Sequence, residues 1–85
     1  MRLLLVEDDP DLVRHLQGDL THAGFAVDVA SDGIEAEHLG AEITYDAVIL
    51  DLGLPGRSGL AVLRNWRSAG NAVPVLILTA RDAWH

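Results

Sequence analysis

Two kinds of apolar spacing alternate along the chain. Leu3-Leu4-Leu5-Val6 is a continuous apolar run, the pattern of a short strand covered on both faces. Leu12, Val13, Leu16 and Leu20 then recur at helical spacing. Pro10 opens that helix, where its missing N–H costs nothing, and Gly24 closes it as the residue just past the end. Phe25, Val27 and Val29 alternate with smaller or polar residues and predict a second strand. Asp32 and Glu35 have the spacing of a capping box at the head of a short second helix, with Ile34 and Leu39 facing inward. Ala47-Val48-Ile49-Leu50 is a third strand, and it ends in a single acid, Asp51. Ser58 caps a third helix carrying Leu60, Leu63 and Trp66. Val75-Leu76-Ile77-Leu78 is a fourth strand, entered through Pro74 and ending at Thr79. Gly24, Gly40 and Gly70 all read as helix stops.

Strand and helix therefore alternate from end to end. That order implies an α/β fold, a doubly wound parallel sheet with right-handed crossovers and helices on both faces. No internal repeat, linker or low-complexity segment interrupts it. With 85 residues there is room for at most one small domain. The chain stops just after a strand as apolar as an interior one, so residues 1–85 are expected to be the N-terminal part of a larger domain. A fourth strand left without its next neighbour favours edge pairing or exchange of segments between copies, hence a homo-oligomer.

Charge narrows the function. Thirteen acids face six arginines, lysine is absent, and the net charge is −7. Such a surface repels phosphate backbones and anionic lipid, which argues against DNA or membrane as a direct partner. No apolar run approaches the length of a membrane span, and the N-terminus turns acidic too soon for a secretory signal. There is no cysteine to form a disulfide or a cysteine–zinc site. These features together predict a cytoplasmic protein.

The candidate chemistry lies in the carboxylates. Strand one runs into Glu7, Asp8 and Asp9, and strand three into Asp51. If the two strands are neighbours, their acids converge at the C-terminal edge of the sheet, where ligands bind in open α/β folds. Converging carboxylates repel one another unless a pKa shifts or a cation binds. An all-oxygen ligand set suits a hard cation, Mg²⁺ or Mn²⁺. Against this stands a plainer role, because acids after a strand often cap the following helix. Asp9, next to Pro10, fits that role. Asp51 does not, since no helix begins directly after it. Spacing alone leaves open whether Glu7-Asp8 or Asp8-Asp9 is the site pair.

Three motifs carry a resemblance: LLLVEDD at 3–9, DLGLPGRSG at 51–59 and PVLILTARD at 74–82. In this order, with Asp51 placed 43 positions after Asp8, they resemble the receiver domain of bacterial two-component response regulators. The wording of the second and third is most similar to the subclass with a downstream winged-helix DNA-binding domain. The resemblance implies a flavodoxin-like strand order of 2-1-3-4, with the fourth helix and the fifth strand and helix missing. It implies that Asp51 is the phosphoacceptor and that a sensor histidine kinase is the donor. It further implies that Asp8 ligates Mg²⁺ directly, Glu7 through water and Gly53 through its carbonyl. Thr79 would be the switch hydroxyl, and the Ala80 N–H would help hold the phosphoryl group. The resemblance thus selects Glu7-Asp8 as the pair. DNA would be reached only through a domain absent here, and the chain would not be a turnover enzyme.

The family also has a lysine and a switch aromatic beyond the fourth strand, and this chain has neither in place. A receiver-like interaction or dimerisation module that never takes phosphate is therefore the alternative. A haloacid-dehalogenase-like hydrolase would need a second acid at position 53, where Gly53 stands. A flavodoxin-type flavin site would be repelled by Glu7-Asp8-Asp9. His15 and His22 share a helical face, but without a converging third ligand they read as a solvated pair. Trp66 reads as core or rim packing.

Overall fold

Leu3 to Val6 do form a strand, and its neighbours on both sides are parallel to it. The computed structural model describes residues 1–78. The elements run β1 (Arg2–Val6), α1 (Pro10–His22), β2 (Ala26–Ala30), α2 (Gly33–Glu42), β3 (Ala47–Asp51), α3 (Gly59–Ser68) and β4 (Val75–Leu78). The sheet order is β2-β1-β3-β4, as expected. The order reverses between β1 and β3, so the switch point of the sheet lies between them. Val6 stands level with Leu50, and Asp51 level with Leu78.

Alternation along the strands divides the apolar residues between two faces. Leu4, Val6, Val48 and Leu50 are fully buried and belong to one core with Ala36 of α2 and with Val62 and Trp66 of α3. Each such side chain contributes roughly 1.5–3 kcal/mol by leaving water. Leu5, pointing the other way, is also fully buried. On α1, by contrast, no residue is buried, and Leu12, Val13, Leu16 and Leu20 stay partly covered.

Local signals explain the helix ends. Asp9 caps α1 by accepting from the Asp11 and Leu12 N–H groups at 3.0 and 3.4 Å. Asp32 accepts from the Glu35 N–H at 2.8 Å, while Glu35 reaches back to the Ser31 N–H, one residue earlier than a strict capping box. Ser58 caps α3 through the Ala61 N–H. Gly24 and Gly70, at φ of 100° and 83°, stop α1 and α3 in the left-handed region that disfavours side chains.

Two sequence expectations fail on the helices. Gly40 does not stop α2, which continues to Glu42. It is buried because the Trp66 indole lies where its Cβ would be. Ile34 is expected to face inward but is 58 % exposed, and Leu60 of α3 is 46 % exposed. Both sit in a first turn, where the core-facing places go to the small residues Gly33 and Gly59, pressed against loop and strand backbone.

Candidate metal centre

β1 and β3 are hydrogen-bonded neighbours, so their C-terminal ends deliver acids to one place. Glu7, Asp8 and Asp51 each bring a carboxylate oxygen into a cluster whose members all lie within 4.8 Å of one another. Glu7 and Asp51 are 3 % and 6 % exposed, while Asp8 is exposed to solvent. Asp9 stands apart as the helix cap. The geometry therefore separates the two roles that spacing could not.

Backbone amides hold the acids in position. Glu7 Oε2 accepts from the Asp8 and Asp9 N–H groups at 2.8 and 3.1 Å. Asp51 Oδ1 accepts from the Gly53 N–H at 3.1 Å, which folds the start of the β3–α3 loop over the carboxylate. Among the described residues no arginine pairs with any of the three acids. The arginines that form ion pairs meet Asp28, Asp11 and Glu37 instead. The consequence is electrostatic. Burial, then the neighbouring acids Asp8 and Asp51, push the Glu7 carboxyl up to about 7, against an opposing hydrogen bond from the Asp9 amide.

An uncompensated cluster of this kind fits a hard divalent cation. The donors are all carboxylate oxygen, with neither sulfur nor imidazole among them. Opposite ligands of an octahedral Mg²⁺ lie about 4 Å apart, so a 4.8 Å cluster needs only a small adjustment or one intervening water. A separate groove lies elsewhere in the described chain. It measures about 420 Å³ and is lined by Gly40, Ile43, Tyr45, Trp66 and Val73, at the N-terminal edge of β3 and β4. None of the three acids touches it.

Of the expected site residues, Glu7, Asp8, Asp51 and Gly53 are thus brought together. Thr79 and Ala80 lie outside the described residues. Sequence reasoning overlooked a second polar cluster beside the site. In it, Glu37 of α2 accepts from Arg57 in the β3–α3 loop at 2.5 Å and from Asn65 of α3 at 3.1 Å. It spans three elements, so no local spacing could have revealed it.

A doubly wound sheet with an acid pocket at its switch point defines the class: a small α/β domain whose carboxylates converge at the C-terminal edge of the sheet. The chain belongs to the response regulator receiver domain family, whose profile matches residues 3–84. It is 46 % identical over 84 residues to the virulence transcriptional regulatory protein PhoP of Salmonella typhimurium, covering 99 % of this chain and 38 % of PhoP. It therefore spans well under half the length of that relative. The receiver domain of sensor histidine kinase PA1611 from Pseudomonas aeruginosa, solved with magnesium in its active-site cleft, superposes with a TM-score of 0.90. Identity there is 33 %, over 96 % of this chain and 69 % of that one. TrrA of Thermotoga maritima, solved in complex with the histidine kinase ThkA, is 34 % identical with a TM-score of 0.86, over 99 % and 72 % of the two chains.

Proposed function

We propose that this receiver domain accepts a phosphoryl group on Asp51 from the phosphohistidine of a sensor kinase, with Mg²⁺ held by Asp8, Asp51, the Gly53 carbonyl and, through water, Glu7. The observation that carries the reading is the cluster of Glu7, Asp8 and Asp51 within 4.8 Å, with no arginine of the described chain to neutralise it. In the transfer, an Asp51 carboxylate oxygen forms the new bond to phosphorus as the bond to the histidine nitrogen breaks. Bound Mg²⁺ would supply positive charge to offset that of the phosphoryl oxygens. The Gly53 N–H holds Asp51 Oδ1 in place, leaving the second oxygen as the nucleophile. The Asp8 and Asp9 amides hold Glu7 at the pocket floor.

The magnesium in PA1611 and the kinase partner of TrrA support the cofactor and the donor by kinship. Likeness to PhoP supports a cytoplasmic regulator that controls transcription through a separate DNA-binding region. Thr79 and Ala80 are proposed, on the motif alone, as switch hydroxyl and phosphoryl-binding amide. The domain would undergo phosphorylation without being a turnover enzyme. Self-association is proposed through β4, whose Leu76 and Ile77 are 64 % and 38 % exposed. A monodisperse monomer in light scattering at micromolar concentration would count against it. The phosphoacceptor reading is tested by labelling the regulator from a radiolabelled kinase. Incorporation should require Mg²⁺ and vanish in Asp51→Asn, and labelling that persists in this variant would refute Asp51 as acceptor.

A further inference from the structure

The β3–α3 loop, residues 52–58, is fastened to the rest of the domain at several points. At its ends, the Gly53 N–H is bonded to Asp51 Oδ1, and the Gly59 N–H to the Leu52 carbonyl at 3.2 Å. In the middle, the Pro55 carbonyl accepts from the Gly33 N–H at 3.2 Å. A Cβ on Gly33 would fall 1.8 Å from the Arg57 carbonyl, so the loop rests directly on the first residue of α2. Among the described residues the one charged fastening is Arg57 to Glu37, and Asn65 donates to the same Glu37 oxygen. One carboxylate oxygen on α2 therefore gathers both the loop and α3. Its charged form is favoured, because the bonds from Asn65 and then Arg57 hold the Glu37 carboxyl below its ordinary range.

We propose that Glu37 and Arg57 are positioning residues for the metal pocket, a latch that fixes the β3–α3 loop and with it the Gly53 backbone. The proposal rests on the reading of the acid cluster as a Mg²⁺ site. Neither side chain belongs to the acid cluster, so their action must pass through the loop. Arg57 follows Gly53 by four residues, and the Pro55 anchor lies between them. Freeing Arg57 removes the charged restraint at the far end of this short span while the bond from Gly53 to Asp51 remains. Gly53 would then sample more backbone states, and its carbonyl would be less prepared to meet a cation. The pair is partly screened, with side-chain exposures of 41 % and 27 %, so its effect is graded and not all-or-none.

The test is a Mg²⁺ titration of the chain and of Glu37→Ala, Arg57→Ala and Arg57→Lys, followed by amide correlation spectra with amide exchange measured in parallel. Both alanine variants should bind Mg²⁺ roughly three- to tenfold more weakly, below the roughly 10- to 100-fold seen when a metal ligand's direct partner is removed, because the pair acts through the loop. Exchange at the Gly53 amide should quicken, whereas amides of β1 should keep their protection. Arg57→Lys, which keeps one charged donor, should recover part of the affinity. Unchanged affinity in both alanine variants, beside clear binding by the parent chain, would overturn the latch alone. A loss confined to Glu37→Ala would also overturn it, because a freed Arg57 competing for the acids would then be the cause. Absence of Mg²⁺ binding by the parent chain would instead refute the metal reading, and the latch's role with it.

Discussion

The indole of Trp66 fills the space that a side chain on Gly40 would need. A Cβ built there would stand 2.5 Å from both Cε2 and Cζ2, and 2.6 Å from Nε1. The indole is further pinned by its N–H, which donates to the Glu37 carbonyl at 3.2 Å. Helices α2 and α3 therefore meet backbone to ring, and the whole indole is buried without loss of a hydrogen bond.

Substituting Gly40 tests that contact, because two effects of opposite sign compete. Alanine in a helix interior gains about 1 kcal/mol over glycine. Forcing a methyl into a filled site costs typically 1–3 kcal/mol. The overlap is with a buried ring that has little room to withdraw, so Gly40→Ala should be net destabilising, by roughly 1 kcal/mol. Urea unfolding followed by tryptophan emission would measure it. A stabilised variant would mean that the indole can move aside.

Tyr45 and Asp28 make a second checkable pair. The phenol donates to Asp28 Oδ2 at 2.8 Å, and Arg2 Nε donates to the same oxygen at 3.0 Å. Burial first, and then this bond to Asp28, push the Tyr45 hydroxyl up to about 12. The folded chain thus holds the proton more tightly than the unfolded one. The resulting stability is full below the ordinary 10.0 and is lost as pH rises through about 12. Tyr45 is the sole tyrosine, so absorbance at alkaline pH reports it directly. Tyr45→Phe should cost about 1–2 kcal/mol near neutrality and flatten the alkaline decline.

Glu37 gives the opposite sign. Its folded value lies below the ordinary 4.5, so the unfolded chain binds the proton more readily. Its contribution is present above pH 4.5 and disappears as pH falls through the lower, folded value. Glu37→Gln should therefore differ from the parent in denaturant midpoint at pH 6 and converge on it in acid. A gap that stayed constant across that range would exclude the Arg57 and Asn65 contacts as its source.

The acid pocket should be a source of instability until a cation binds. Asn at position 51 keeps an oxygen for the Gly53 N–H and removes one of three converging carboxyl groups. Without metal, Asp51→Asn should be more stable than the parent by roughly 1 kcal/mol, because the remaining acids lose a repelling neighbour. Added Mg²⁺ should narrow or reverse the difference. Thermal melts with and without Mg²⁺ decide this, and a less stable variant in both would contradict it.

Much of this was legible in the sequence because the signals are local. The runs Leu3–Val6 and Ala47–Leu50, the caps at Asp9 and Ser58 and the stops at Gly24 and Gly70 each need only a few neighbouring residues to be read. The expected strand order and the pairing of Glu7 with Asp8 needed the family resemblance, since spacing could not order the sheet or choose among three consecutive acids. What escaped was decided by tertiary packing. Gly40 resembles a helix stop until Trp66 is placed against it. Ile34 looks like a core residue until Gly33 takes the close contact. The Glu37, Arg57 and Asn65 cluster joins residues up to 28 positions apart.

The central claim is that Glu7, Asp8 and Asp51 form one cation pocket beside Gly53. The most direct measurement is the amide correlation spectrum of the chain during a Mg²⁺ titration. Saturable shifts are expected, centred on Asp8, Asp51 and Gly53, strongly weakened in Asp51→Asn and small at the distant groove around Tyr45 and Val73. A spectrum indifferent to Mg²⁺, or shifts of equal size in Asp51→Asn, would contradict it.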